Sequence, residues 1–529
     1  MRFLVSLFIA FPLVAETIYV SQNGSGDFSG SGTGNRMTAA GFNTAGNWDS
    51  DVSNDGKIGP GDTVSLGGTI TNALVLQNSG LSGNVITILF ETDGIISAPY
   101  FDINGAINGS TNDHIVIDGG NTVRVGTRQN PYDTNQNGFR TNIQCTLNGE
   151  ALTYQQSTRG IVFSGATNVI VKNLRTQNLY VKVALSADIN EYGGAISLGG
   201  YGSLMISNCV THMGIDGPIV KAEVTNVFGL VVADCDVRKV SNGIKPGCAS
   251  GTCSYNEAQI VRNRIDELGM WSDSAGGASH HHNDGIQLIL GSPGANSYRT
   301  VIAYNWLGPD FGAYGHTTSA IFCEDDSQET LIYNNLVTLS PTHWTSNPLI
   351  QGGQTTSWSA GQGVGLIANN TVIGGGIGSG IYSRHHDTSN NIVYNVGNFF
   401  TRETVSNTGT NDYNVCYGPS GDTNGQCYNP DIGIYGSLSS WQGAAAAQDP
   451  NSILQDPLVN SDGTLQAGSP ARNFGMDLSA IFTDDFNGNA RANWDAGAFE
   501  YQAGGGSTTY RGLSTSGRVQ LIGPGRLTQ

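Results

Sequence analysis

The ionisable and aromatic side chains of this chain are concentrated around a short apolar phrase that recurs between residues 194 and 383. It reads GAISL, GPIVK, NGIKP, DGIQL, SAIFC, NPLIQ and SGIYS, and we align it on the Ile or Leu. Side chains alternate between the two sides of a strand, so the residue after an inward Ile or Leu points outward. The alignment predicts one shared outer face that carries Lys245, Gln287, Phe322, Glu324, Tyr382 and Arg384, with Ile350 at the equivalent position of one repeat.

Further ionisable residues flank this face. His282 and Asp284 precede one copy of the phrase, Asp325 and Asp326 follow the next, and His385 follows Arg384. Two of the four acids Asp284, Glu324, Asp325 and Asp326 would suit hydrolysis of a glycosidic bond. A base such as Lys245 or His282, with a cation beside the substrate carboxylate, would suit β-elimination from a uronate. A face without a complete catalytic motif would bind a glycan without cleaving it. These three alternatives stay open.

The distribution of charge favours elimination among them. Nine of the 24 Lys and Arg residues fall between residues 172 and 264, in a chain whose net charge is −18. Arg262 and Arg264 lie in this span, and beside Lys245 they would neutralise a substrate carboxylate. The acidic balance of the whole chain argues against nucleic acid as a partner. We therefore expect a polysaccharide or surface glycan as the partner, with Gln287, Phe322, Tyr382, Arg384 and His385 in contact with it.

A second repeated phrase alternates with the first and indicates what positions this face. A few apolar residues end in Asn or Asp at intervals of 25 to 42 residues, at Asn173, Asn208, Asp234, Asn263, Asn305, Asn335, Asn370 and Asn395. Repeats of this length indicate stacked units that bury their apolar faces against their neighbours. We expect two strands in each coil and a ladder of stacked Asn side chains. The predicted fold is all-β, a right-handed single-stranded parallel β-helix.

Three further phrases resemble a known group. The segment ETIYVSQNGSGDFSG after residue 15, IGPGDTVSLGGTI at residues 58–70 and RANWDAGAFEY at residues 491–501 are similar to phrases of secreted parallel β-helix proteins of the pectin-lyase-like superfamily. The last phrase resembles the one that closes their final coil. The resemblance implies the β-helix fold and a carbohydrate as the ligand. Members of the group include lyases, hydrolases, tailspikes and adhesins, so the resemblance does not choose between the three alternatives.

The two ends of the chain predict its organisation. Residues 1–15 combine Arg2, an apolar core and Ala15, which is typical of a signal peptide, so we expect a secreted or periplasmic protein. Residues 16–501 are predicted to form the β-helix, with an N-terminal cap and a closing coil. Residues 502–529 read as a Gly-rich linker and a basic tail. No other apolar run is long enough to span a membrane. The oligomeric state is not indicated.

Two smaller patterns concern metal and disulfides. Residues 51–62 match a calcium loop, with Asp51, Ser53, Asp55 and Asp62 as ligands and Gly56 at the turn. A polar turn without metal is the alternative. Eight cysteines fit an oxidising compartment, in which Cys248–Cys253 and Cys416–Cys427 would close local loops. Cys209 and Cys235 follow ladder residues of adjacent coils, where either a disulfide or an apolar stack of thiols is expected.

Overall fold

The computed structural model confirms the predicted fold, a parallel β-helix in which successive coils stack through parallel pairing. It describes residues 15–53, 55–122, 139–146, 158–179, 194–214, 216–222, 227–248, 255–268, 283–288, 297–311, 318–323, 327–339, 348–352, 364–376, 378–383, 386–402, 410–418, 426–429, 433–435, 438–444 and 449–503. Within these residues no helix is long and apolar enough to cross a membrane.

Each regular coil contributes one strand to each of three sheets. The first sheet contains Thr17–Ser21, Met37–Thr38, Thr63–Leu66, Ile86–Phe90, Ile115–Asp118, Leu230–Ala233, Gln259–Val261, Val301–Ala303, Leu331–Tyr333, Gly365–Ala368, His386–Ser389 and Asn411–Asp412. The second contains Thr69–Ile70, Ile95–Ala98, Ile143–Cys145, Arg175–Leu179, Val210–Gly214, Asp236–Arg238, Arg264–Asp266, Trp306–Phe311, Leu336–Leu339, Thr371–Ile373, Ile392–Tyr394, Val415–Tyr417 and Ile453–Leu454.

The third sheet merges with the first in the early coils, because the long strands Ile161–Lys172 and Gly194–Ser207 run through both. Its other strands are Leu74–Val75, Ile107–Ser110, Asp216–Ala222, Lys245–Cys248, Ile286–Leu288, Ile321–Cys323, Ile350–Gly352, Ser379–Ser383, Asn398–Arg402, Gln426–Asn429 and the antiparallel Gly433–Tyr435. A fourth, short sheet contains Val227–Phe228, Tyr255–Asn256, Ser297–Tyr298 and Ser327–Gln328.

The prediction of two strands in each coil was wrong, because the second sheet lies between the two predicted rows. Its strands follow the ladder residue directly and are often only three residues long, as at Arg264–Asp266. All three sheets contribute inward residues to one continuous apolar core. Ile260, Ile265 and Ile286, from three sheets, are each 0–1 % exposed. Burying an aliphatic side chain of this size is worth about 1.5–3 kcal/mol, so the stacked core supplies most of the stability.

The predicted Asn ladder is present, but part of it is displaced by one residue. It consists of Asn263, Asn305, Asn335, Asn370, Asn391 and Asn414, in which each Nδ2 donates to the Oδ1 of the next at 3.0 Å. Asn173, Asn208 and Asp234 lie one position earlier, with φ between 49° and 55°. Asn395 follows a strand of the second sheet instead. Asn395 also has a positive φ, of 57°. Asn and Asp tolerate the left-handed conformation better than most residues, which explains why they occur at these four positions outside the ladder.

Cys209 and Cys235 occupy the ladder position in the two coils before Asn263 and are buried as separate thiols. The apolar stack is therefore the correct alternative for them, and the described residues contain no disulfide. Cys253 lies outside the described residues, as do the side chains of Cys248 and Cys427, so the two predicted local pairs stay predictions.

Both ends of the core are covered by a short helix. At the N-terminal end, the helix Ala39–Phe42 is capped by Thr38, whose Oγ1 accepts from Gly41 N at 2.8 Å. It is followed by the 3₁₀ helix Ala45–Asn47, and Phe42 packs edge-to-face on Trp48. At the other end, the helix Leu438–Ala444 places Leu438 and Trp441 in the core.

The closing coil predicted at the C-terminal end of residues 16–501 is not observed, because residues 455–501 contain no strand of the described sheets. Only Ile453–Leu454 joins the second sheet, and the chain then returns along the outside of the first and second sheets. Phe482 stacks on Tyr333 with ring centroids 4.5 Å apart, and Tyr304 Oη donates to Asp484 Oδ1 at 2.6 Å. We call residues 455–501 the returning segment.

Replacing a ladder residue should cost much more stability than replacing an Asn that lies outside the ladder. Asn335→Ala removes the donor to Ile302 O and Asn370 Oδ1 and the acceptor of Asn305 N and Nδ2, four hydrogen bonds at a buried site, so we expect a loss of about 3 kcal/mol. The measurement is the urea midpoint of the purified chain.

Asn395→Gly is the matched control. Asn395 is half-buried at φ 57° and donates one hydrogen bond, to Gly374 O, so its removal should cost less than about 1 kcal/mol. Equal midpoint shifts in the two variants would contradict the structural role of the ladder.

Candidate functional site

The outer face of the third sheet carries the predicted row of side chains, with one change. Gln287 pairs with Phe322, Phe322 with Gln351 and Gln351 with Tyr382, while the bridge between Ile244 and Ile286 aligns Lys245 with Gln287. We call Lys245, Gln287, Phe322, Gln351 and Tyr382 the third-sheet column. Ile350 was wrongly placed on this face, because it pairs with Ile321 and Ile381 and points into the core.

The column is not an open groove along its whole length. Gln287, Phe322 and Gln351 are only 2–3 % exposed, whereas Lys245 and Tyr382 are half-buried. Parallel strands lie about 4.8 Å apart, so the four steps from Lys245 to Tyr382 span roughly 19 Å. The two accessible members therefore lie at opposite ends of the column and cannot act on the same sugar unit.

Lys245 forms an ion pair that the sequence did not indicate. Its Nζ lies 3.4 Å from Asp216 Oδ1, and Asn242 Nδ2 donates to the same oxygen at 2.8 Å. Asp216 is 4 % exposed, so the pair is held at the inner edge of the column. The arrangement provides a positioned ammonium group beside the amide of Gln287.

Asp284 does not lie on this outer face. Asp216, Asn242, Asp284 and Ser319 follow one another at the start of the third sheet and form a buried polar ladder of their own. Asp284 N donates to Asn242 Oδ1 at 3.4 Å, and Asp284 Oδ1 accepts from Ser319 N at 2.9 Å. Asp284 is fully buried and its described contacts stabilise the corner between the second and third sheets.

Arg262 and Arg264 are not brought to Lys245. Arg262 lies at the turn between the first and second sheets, where it forms a bidentate pair with Asp234 at 2.8 and 3.0 Å. Arg264 lies on the outer face of the second sheet, where it donates to Asp266 Oδ2 at 2.8 Å and packs over the Trp306 ring.

The basic region between residues 172 and 264 is largely neutralised by ion pairs. Pairs join Lys172 to Asp118, Arg238 to Asp236, Lys239 to Glu267, Lys245 to Asp216, Arg262 to Asp234 and Arg264 to Asp266. Lys182 and the side chain of Lys221 are outside the described residues. Arg175 is the remaining member of the nine.

Six predicted site residues lie outside the described part of the chain. They are His282, Glu324, Asp325, Asp326, Arg384 and His385. Their roles stay predictions.

The predicted calcium loop folds as a polar turn closed by the bridge between Trp48 and Ile58. Asp62 is buried, and its two oxygens accept from Glu16 N and Gly59 N at 2.8 Å, so both are engaged by backbone amides. Asp51 and Asp55 are exposed, and Ser53 Oγ donates to Asp49 at 3.4 Å. Among the described residues no group of three His, Cys, Asp or Glu side chains is arranged to hold a metal. The four predicted ligands, Asp51, Ser53, Asp55 and Asp62, are therefore not arranged around one cation position. Calcium binding stays a prediction.

Sequence reasoning missed Asp216 and Gln351. The Ile–Gln dipeptide recurs in DGIQL and in NPLIQ, and aligning these two copies would have placed Gln351 in the same row as Gln287. Asp216 precedes its Ile by three residues, whereas Asp284 precedes its Ile by two. In the copy GPIVK, Pro218 takes the inward position and pairs with Ile196. This copy of the apolar phrase is therefore shifted by one residue relative to the others.

No family model and no curated protein matches this chain. Among solved structures it is similar to pectate lyase Pel9A, with 14 % identity, 92 % of this chain and 96 % of that one covered, and a TM-score of 0.45. It is also similar to the GH136 lacto-N-biosidase from Eubacterium ramulus, with 11 % identity, coverages of 78 % and 67 %, and a TM-score of 0.44. Identities and scores of this size do not bear on the activity of this chain, and its own strand pairing establishes the fold.

Asp266 should make the folding stability depend on pH. Burial raises the pKa of Asp266 to about 6, although Arg264 opposes the shift. The unfolded chain releases this proton near pH 4, so the folded state loses stability as the pH rises from about 4 to about 6. The free energy of unfolding of the wild type, minus that of Asp266→Asn, should therefore be smaller at pH 7 than at pH 4, by at most about 3 kcal/mol.

Urea unfolding of both proteins at the two pH values measures this difference, and the other titrating groups cancel in the comparison. A wild-type advantage that grows with pH would show that the ion pair with Arg264 outweighs burial.

Proposed function

We propose that this chain is a carbohydrate-active protein that binds an acidic polysaccharide beside the third-sheet column and cleaves it by β-elimination. The observation that supports this most directly is the Lys245–Asp216 pair at the half-buried end of a column of amides and aromatic rings. Sites for organic ligands combine apolar surface with a few positioned polar groups. A fixed ammonium beside Gln287 suits a sugar that carries a carboxylate.

We assign Lys245 a role in neutralising the substrate carboxylate. β-Elimination needs a cation that withdraws charge from the substrate carboxylate and a base that removes the α-proton. An ammonium group that a carboxylate already holds is better suited to the first task than to the second. Tyr382 lies too far along the column to act as the base for the same sugar. His282 remains the predicted base.

Binding without cleavage is the second candidate. The described members of the column are two amides, two rings and one ammonium group, a set that binds sugars by stacking and hydrogen bonding. Hydrolysis by Asp284 has less support, because the described contacts of this carboxylate lie within the buried corner ladder. The other predicted acids for hydrolysis lie outside the described residues.

Replacing Lys245 should remove most of the activity on a uronate polymer. The assay follows the ultraviolet absorbance of the unsaturated product across polygalacturonate, alginate and glucuronan, with calcium and with chelator. Lys245→Met should lower kcat/KM by about 100-fold, because it removes the cation beside the substrate carboxylate.

Lys172→Met is the matched control, since Lys172 pairs with Asp118 at 3.3 Å on the first sheet. It should change the rate by less than about twofold, as expected for a surface pair. New reducing ends without absorbance would indicate hydrolysis instead. Retention of the chain on an immobilised polymer, with neither product formed, would indicate binding without cleavage. A loss of product on chelation would support a calcium requirement.

A further inference from the structure

A second row of polar side chains runs along the outer face of the second sheet, away from the third-sheet column. Strand pairing aligns Ser97 with Gln144, Gln144 with Gln177, Gln177 with His212, His212 with Arg238, and Arg238 with Asp266. Their neighbours along each strand, such as Ile143 and Val237, point into the core, so the row itself points outward. We call it the second-sheet row, and its six members span roughly 24 Å.

The row is most accessible in its middle, because Ser97 at its N-terminal end is only 9 % exposed. Gln144, Gln177 and His212 are half-buried, whereas Arg238 and Asp266 are only 6 % and 2 % exposed. A ligand can therefore contact the amides and the imidazole, with the buried charges of Arg238 and its partners behind them.

The buried charges behind the row contain one unmatched cation. Arg238 forms a bidentate pair with Asp236 at 2.7 and 2.6 Å, and Arg264 donates to Asp266 at 2.8 Å. Arg175 is 9 % exposed and pairs with no carboxylate of the described chain. Its Nη1 donates to Phe139 O at 3.3 Å, and its Nε is buried without a hydrogen bond to any described residue. Three guanidinium groups thus face two carboxylates.

His212 lies in the field of these cations. Its Nδ1 is buried and makes no hydrogen bond within the described chain. Burial, together with the charges of Arg175, Lys239 and Arg238, lowers the pKa of His212 to about 4. The imidazole is therefore neutral at neutral pH, and one of its ring nitrogens has no hydrogen-bond partner in the part of the chain that the structure describes. Burial also lowers the pKa of Arg175, as expected where counter-charge is insufficient.

A buried guanidinium without a carboxylate is costly, and an oxyanion removes that cost through charge-assisted hydrogen bonds. We propose that Arg175 and His212 bind one oxyanion group, a carboxylate or sulfate, of an acidic oligosaccharide, while Gln177 and Gln144 hydrogen-bond its neighbouring sugars. This site is separate from the third-sheet column and does not depend on cleavage.

The test uses the full chain labelled with ¹⁵N at its nine histidines. The His212 resonance is assigned by its loss in His212→Gln and is followed during titration with trigalacturonate, a sulfated trisaccharide, maltotriose and inorganic sulfate. We expect it to shift with at least one of the two acidic trisaccharides and not with neutral maltotriose. The acidic trisaccharide that binds identifies the oxyanion.

Variants locate the binding. By calorimetry, Arg175→Gln and His212→Gln should each weaken it by about tenfold or more, because each removes a hydrogen bond to a charged group. Arg175→Gln should not lower the melting temperature, since it removes a buried cation that has no carboxylate partner among the described residues. Lys245→Met on the third sheet should leave the affinity unchanged. Gln177→Ala gives an independent reading if Arg175→Gln does not fold.

Three results would overturn the proposal. One is a His212 resonance that no acidic trisaccharide moves. Another is binding that is lost in Lys245→Met but kept in Arg175→Gln and Gln177→Ala, which would place the ligand on the third sheet. The third is inorganic sulfate binding as tightly as the acidic trisaccharides, which would reduce the site to one for a free oxyanion.

Discussion

The amide ladder at the corner between the first and second sheets is the contact on which the remaining structure depends. Each interior Asn uses its whole amide. Asn305 donates to Ile260 O and Asn335 Oδ1, and its Oδ1 accepts from the N and Nδ2 of Asn263. A primary amide offers two donors and two lone pairs, and all four are used at a buried site. Asp or Ser could not supply the same set. The ladder ends where Asn414 meets Ser452 and Asp449, beside the C-terminal cap.

The turn that presents this ladder also determines where the other side chains point. The residue before each ladder position adopts the left-handed conformation, at Arg262, Tyr304 and Asn334 as well as at the early Asn residues. A turn of constant geometry keeps successive strands in register, so each outward position becomes a column along the whole helix. The third-sheet column and the second-sheet row are both consequences of this register. Arg262 and Tyr304 take this strained conformation where their side chains gain partners in Asp234 and Asp484.

The repeats allowed the fold to be predicted, because their apolar residues and turn residues recur at coil length. The site was predicted less well, for two physical reasons. Where two adjacent residues are apolar, as at Leu349 and Ile350, the pattern does not say which one points inward, and an error of one residue exchanges the two faces. Charge clustering along the sequence also does not reveal pairing. The sequences DVR at 236–238 and RID at 264–266 place opposite charges on one side of one strand. This spacing would have predicted that Arg238 and Arg264 pair with their neighbouring Asp residues.

The returning segment joins parts of the chain that are made at very different times. The hydrogen bond between Tyr304 and Asp484 closes a loop of 180 residues, and the one between Arg491 and Asn334 closes a loop of 157. A solenoid whose contacts were all between neighbouring coils could assemble progressively from its first coil. Here the middle coils receive their outer layer only after the last coil has been completed. Assembly therefore finishes in the centre of the helix and not at its end. Contacts between residues distant in sequence form slowly, so this final step is expected to be the slow one.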